Sequence, residues 1–74
     1  MKAVILFNST NHAIWAENEL KENEISCKMI SVPRHLSSDC GYCVQIDADD
    51  GEKASSILNA NNIEFDNIAN YEGE

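Results

Sequence analysis

The hydrophobic pattern changes period several times along the chain. It starts with an unbroken apolar run of five residues, Ala3-Val4-Ile5-Leu6-Phe7. That is strand length, and apolarity on both faces marks a central strand. Asn8-Ser9-Thr10 ends the run, and any of the three can cap a following helix by accepting one of its unpaired N–H groups. From Asn11 to Asn23 the residues Ala13, Ile14, Ala16 and Leu20 recur at helical spacing, with Glu17 and Lys21 an i,i+4 pair on the other side. Trp15 sits beside the apolar stripe and is expected to be partly buried, and Asn23 stops the helix. Ile25, Cys27 and Met29 then alternate with Ser26 and Lys28, which predicts a second strand running into Val32 and closed by Pro33. Arg34 to Gly41 reads as a polar loop. Val44, Ile46 and Ala48 alternate with Gln45 and Asp47, a third strand. Asp49-Asp50-Gly51-Glu52 opens a second helix with acids at its positive end. Ala54, Ile57, Leu58 and Ala60 form its inner face, and Asn61-Asn62 breaks it. Ile63 and Phe65 begin a fourth strand that reaches Ile68.

The order β-α-β-β-α-β predicts an α+β, ferredoxin-like domain, with two helices on one face of a four-stranded antiparallel sheet. A single domain over residues 1–69 is expected, with 70–74 a frayed tail. In this topology the first two strands are parallel and the third lies between them. The ends of the first and second strands therefore meet at one sheet edge. Ser9, Thr10 and His12 are expected to face Arg34, His35, Cys40 and Cys43 there.

Charge narrows the partners. Five Lys and Arg against thirteen Asp and Glu give a net charge of −8, spread along the chain. Nucleic-acid backbones and anionic membranes need clustered cations, so neither is an expected partner. No apolar run approaches the ~20 residues that span a bilayer, and no signal-peptide pattern precedes the first strand. A cytoplasmic protein is the expectation. At 74 residues only about 60% of the chain's surface can be buried, which disfavours a large enzyme cleft. A reactive loop or a binding face remains feasible.

The three cysteines carry the candidate chemistry, since an odd number excludes a complete disulfide framework. A thiol works as thiolate, and at an ordinary pKa near ~8.5 only a few per cent is ionised at neutral pH. A helix N-terminus, Arg34 or a protonated His35 would each favour the anion, and Gly41 lets backbone amides approach it. Asp39 beside Cys40 opposes this. Cys40-Gly41-Tyr42-Cys43 is a C-x-x-C, which fits a redox pair, part of a zinc site or a soft-metal site. A zinc site would need Cys27 and His35 beside Cys40 and Cys43. Cys27 shares strand parity with Ile25 and Met29, so it is expected to be buried instead. Asp47, Asp49 and Asp50 lack the rest of a calcium loop and read as a helix start.

Phe7-Asn8-Ser9-Thr10 before the first helix, and Val32-Pro33-Arg34-His35-Leu36-Ser37-Ser38-Asp39-Cys40-Gly41 after the second strand, carry a resemblance over about residues 2 to 69. The chain resembles the small Se/S carrier protein-like family. That resemblance implies a protein that holds sulfur or selenium on the loop cysteine, here Cys40, and meets donor and acceptor proteins. Pro33, Arg34, Ser37, Ser38 and Gly41 fall on the family's loop motif, and Asn8 stands where several members have His. Cys43 falls outside the motif, so it is either a resolving thiol or incidental. The resemblance calls for no cofactor, and for a carrier rather than a stand-alone enzyme. Candidate site residues are thus Cys40 and Cys43, with Ser9, Thr10, His12, Arg34, His35, Ser37, Ser38 and Gly41 around a carried anion. Two other readings stay open: a binding module that pairs an edge strand with a partner or a second copy, and a soft-metal site at Cys40 and Cys43.

Overall fold

The structure, a computed structural model, describes residues 1–32 and 41–71. The elements are β1 (Lys2–Leu6), α1 (Thr10–Glu22), β2 (Cys27–Ser31), β3 (Tyr42–Asp47), a 3-10 turn (Ala48–Asp50), α2 (Gly51–Ala60) and β4 (Asn67–Tyr71). The four strands form an antiparallel sheet in the order β2-β3-β1-β4. This is the small α+β ferredoxin-like arrangement. No helix among the described residues is long and apolar enough to cross a membrane.

The unbroken apolar run of β1 follows from its place between β3 and β4. Ala3, Ile5 and Phe7 point to the helices, where they meet Val44 and Ile46 of β3, Ala13, Ala16 and Leu20 of α1, and Ala54 and Leu58 of α2. Val4 and Leu6 point the other way and cluster with Cys43, flanked by Ile30, Val32 and Ala69. Alternate residues of one strand thus serve two apolar clusters, which no amphipathic strand could do.

Both helices end in the same way. Ile25 N–H donates to the Leu20 carbonyl at 2.9 Å and Glu24 N–H to Lys21 at 3.0 Å; Ile63 N–H donates to Leu58 at 2.9 Å and Asn62 N–H to Asn59 at 3.2 Å. These are Schellman caps, with Glu24 (φ 64°) and Asn62 (φ 59°) in the left-handed region. The residue after each turn, Ile25 or Ile63, is buried, as is the last-turn leucine whose carbonyl it bonds.

The caps correct two strand boundaries. β2 begins at Cys27 and not at Ile25, and β4 begins at Asn67 and not at Ile63. In both cases the capping isoleucine continues the alternation of apolar residues without joining the sheet. Asn70 and Tyr71 pair with Ala3 and Lys2 inside β4. β3 starts at Tyr42, and Ala48 leaves it for the 3-10 turn. Ile14 and Ala60, expected on inner helix faces, are exposed. Each lies away from the narrow stripe that its helix turns to the sheet. Glu17 does pair with Lys21 at 3.5 Å, but it also faces the sheet edge: its carboxylate accepts the Met29 N–H at 3.1 Å. That bond occupies an outward amide of edge strand β2.

Candidate functional site

One rim of the sheet collects the ends of β1 and β2 and the starts of β3 and β4. The register shows this directly, with Leu6 opposite both Cys43 and Asn67, and Ser31 opposite Tyr42. Val32 N–H donates to the Gly41 carbonyl at 3.1 Å, so the two ends of the 33–40 segment are pinned together at that rim. Gly41 has φ +79°, and a Cβ built on it would meet nothing within 4 Å. Glycine is therefore required by backbone conformation, not by crowding.

The first helix starts at the same rim. Ser9 is the N-cap, extended at φ −148° and ψ 134°, and its carbonyl accepts the Ala13 N–H at 3.2 Å. Its hydroxyl makes no capping bond, and no acid occupies the first turn. The positive end of α1 is thus left without a side-chain acceptor among the described residues. Thr10 is exposed. His12 is partly buried, and its Nδ1 is buried with no hydrogen-bond partner among the described residues, an uncommon state for a polar atom.

Ser9, Thr10, His12 and Gly41 are therefore placed at or near the expected rim. Arg34, His35, Ser37, Ser38 and Cys40 lie outside the described residues. Cys43 does not stand with the α1 N-terminus. It is 0% exposed, in the cluster with Val4 and Leu6 on the sheet face away from the helices. Its Sγ lies 4.0 Å from the Ser31 carbonyl oxygen.

Cys27 lies on the helix side of the sheet, the face its parity suggested, but on edge strand β2 it is only partly buried against the main core and not fully buried as expected. It stands opposite Ile46, three residues along β3 from Cys43, or about 10 Å. Its Sγ donates to the Glu17 carbonyl at 3.6 Å. Burial pushes the Cys27 thiol up, the Glu17 charge adds to this, and Lys21 opposes it. Cys27 and Cys43 thus occupy opposite faces, so they cannot both ligate the single zinc ion that a Cys27, His35, Cys40 and Cys43 set would require. Among the described residues no three His, Cys, Asp or Glu gather as a metal site.

The rim also holds a feature that the sequence reading missed. Asn8, Asn62, Glu64, Phe65 and Asp66 line a cleft of about 460 Å³, with Asp66 N–H anchored to the Leu6 carbonyl at 2.7 Å. The topology contained the signal, since the connection from the second helix to the fourth strand must return to the edge where the first helix starts.

A search of curated proteins and a search of solved structures returned no match. A family model does match, over residues 2–70, and its description reads "Putative Se/S carrier protein-like". With nearly the whole chain matched, the protein belongs to this Se/S carrier protein-like family.

Proposed function

We propose that the protein carries sulfur or selenium as a persulfide or selenopersulfide on Cys40 and hands it to an acceptor protein. The observation that carries this reading is the family match across residues 2–70. The rim geometry supports it: the peptide after Cys40 is a left-handed glycine bonded to Val32, and the nearby α1 N-terminus has no side-chain cap among the described residues. Amides at both places are suited to hold an anionic sulfur.

The chemistry is a thiol exchange. The Cys40 thiolate attacks the terminal sulfur of a donor persulfide, an S–S bond forms as the donor's S–S bond breaks, and the donor leaves as thiolate. The moving sulfur keeps its proton, and no external oxidant is consumed. Delivery to an acceptor thiolate is the same exchange, with Cys40 as the leaving thiolate. Selenium replaces the terminal sulfur without altering the balance. Arg34, His35, Ser37 and Ser38 are proposed partners of the terminal anion, and His12 a neighbour at the same rim. Cys43 is assigned to packing, because its burial keeps it from an adduct at the surface.

This chemistry suits a reducing compartment, and we place the carrier in the cytoplasm. Any pairing with a second copy is assigned to the β4 edge, because Glu17 occupies an outward amide of β2. Exposed Ile14 and Trp15 favour a second reading, a binding module without sulfur chemistry. Exposure to a small-molecule persulfide donor followed by intact mass separates the two. The carrier gains the mass of one sulfur atom on wild type and none on Cys40→Ser; equal gain on both variants, or none on wild type, removes the carrier reading.

A further inference from the structure

Two surface features adjoin the α1 N-terminus. The first is apolar. Large exposed hydrophobic residues among those described are Met1, Ile14, Trp15 and Tyr42, and three of the four lie towards the rim half of the molecule. Ile14 and Trp15 are 45% and 47% exposed, within about 6–8 Å of Thr10 along the helix axis. Tyr42 is 46% exposed, at the rim end of β3, and shares the helix side with Val44 and Ile46. This half of α1 holds no Asp, Glu, Lys or Arg before Glu17. The second feature is the acidic cleft, where Glu64 and Asp66 flank Phe65. Asn8, which lines that cleft, immediately precedes the N-cap Ser9, so both features meet at the start of α1.

We propose that the Ile14–Trp15 face of α1 and the cleft beside Asn8 form one docking surface for a basic protein partner, which seats an apolar side chain on Trp15 and an Arg or Lys between Glu64 and Asp66. Identifying that partner as the sulfur donor or acceptor rests on the carrier reading; the surface itself does not.

Charge decides the occupant. A second copy would bring a net −8 against a net −8 and lay carboxylates on carboxylates. A basic surface meets the opposite field and is steered to the rim. Tryptophan is also among the residue types enriched as energetic anchors in such contacts. Docking there brings a partner to the edge at which Val32 and Gly41 close the 33–40 segment.

The test titrates the full chain with a short synthetic Leu/Arg peptide, using Leu/Glu and Gly/Arg peptides as controls. Trp15 is the sole tryptophan, so its emission reports the site. The expected result is a blue shift of Trp15 and amide shifts confined to residues 8–15 and 62–66. The controls should bind at least about tenfold more weakly, a difference of ~1.4 kcal/mol. Trp15→Ala and the Glu64→Gln/Asp66→Asn pair should each weaken Leu/Arg binding by a similar factor in calorimetry, with Ile14→Ser as a second apolar test. Amide shifts spread evenly over the acidic surface would overturn the proposal. So would binding unaffected by these variants, or a self-associated dimer closed through Trp15. Cys40→Ser should bind the peptide like wild type, so failure of the sulfur-loading test and failure of this one are separately visible.

Discussion

Alkylation of the native protein should rank its thiols by burial, and Cys43 gives the sharpest case. Cys43 is fully buried in β3, which is bonded to β1 on one side and β2 on the other. Val4 and Leu6, with Ile30, Val32 and Ala69 around them, pack against it, so a reagent reaches the thiol only when that cluster opens. A chain of 74 residues at about 0.05–0.15 kcal/mol each has a stability of about 4–11 kcal/mol. Each ~1.4 kcal/mol is a factor of ten, so exposure by global unfolding alone would slow Cys43 about 10³-fold or more, and opening of the cluster by itself should still slow it at least about tenfold relative to the unfolded chain. Cys27, on edge strand β2 and partly exposed, needs no such opening. It is slowed only by its raised pKa, which burial causes first and Glu17 second. Its reaction should accelerate with pH and reach its midpoint above the ordinary ~8.5. The assay is timed alkylation with peptide mapping by mass, in buffer and in denaturant. Denaturant should bring the rates of Cys27 and Cys43 together. Native labelling of Cys43 within tenfold of Cys27 would refute its burial in the cluster with Val4 and Leu6, and with it the assignment of Cys43 to packing.

Other consequences follow from packing and charge. Leu58→Ala empties a fully buried position between α2 and the sheet and should cost about 3–5 kcal/mol, lowering the thermal midpoint by at least ~10 °C in a circular dichroism melt. Glu24→Gly relieves a left-handed backbone at the α1 cap and should add about 0.5–1 kcal/mol, raising the midpoint by roughly 2–8 °C. Asp47 bonds Lys2 across β1 and β3 at 2.6 Å, and that hydrogen bond followed by the Lys2 charge lowers its carboxyl pKa. The pair's stabilisation is therefore present above the unfolded-chain value and fades as pH falls through the folded one. Carboxyl titration by NMR should show a depressed midpoint for Asp47 that Lys2→Ala returns to the ordinary range.

How much of this was legible in the sequence depends on which physics wrote each signal. The run Ala3 to Phe7 disclosed the central strand because a strand with neighbours on both sides and apolar clusters on both faces has no polar position to show. Helix ends were readable at Asn23 and Asn61-Asn62. The strand starts were not, because a capping isoleucine and a strand isoleucine are both buried apolar residues in the same alternation. Ile25 and Ile63 differ from strand residues only by backbone bonds to Leu20 and Leu58, which composition does not record. At the site, the topology puts Ser9, His12 and Gly41 at or near one rim, while Arg34, His35 and Cys40, which the first two were expected to face, lie outside the described residues. Cys43 was misjudged by proximity: it is three residues from Cys40, yet strand parity turns it to the opposite face from α1. The acidic cleft stayed hidden because its residues come from two connections distant in sequence, with no motif in either.

The account depends on Cys40 resting as an anion. The direct measurement is thiolate absorbance against pH in a Cys27→Ala/Cys43→Ala variant, which leaves Cys40 as the single titrating thiol. The account predicts a midpoint at least about one unit below the ordinary ~8.5, corresponding to ~1.4 kcal/mol in favour of the thiolate. A midpoint at or above ~8.5 would contradict it.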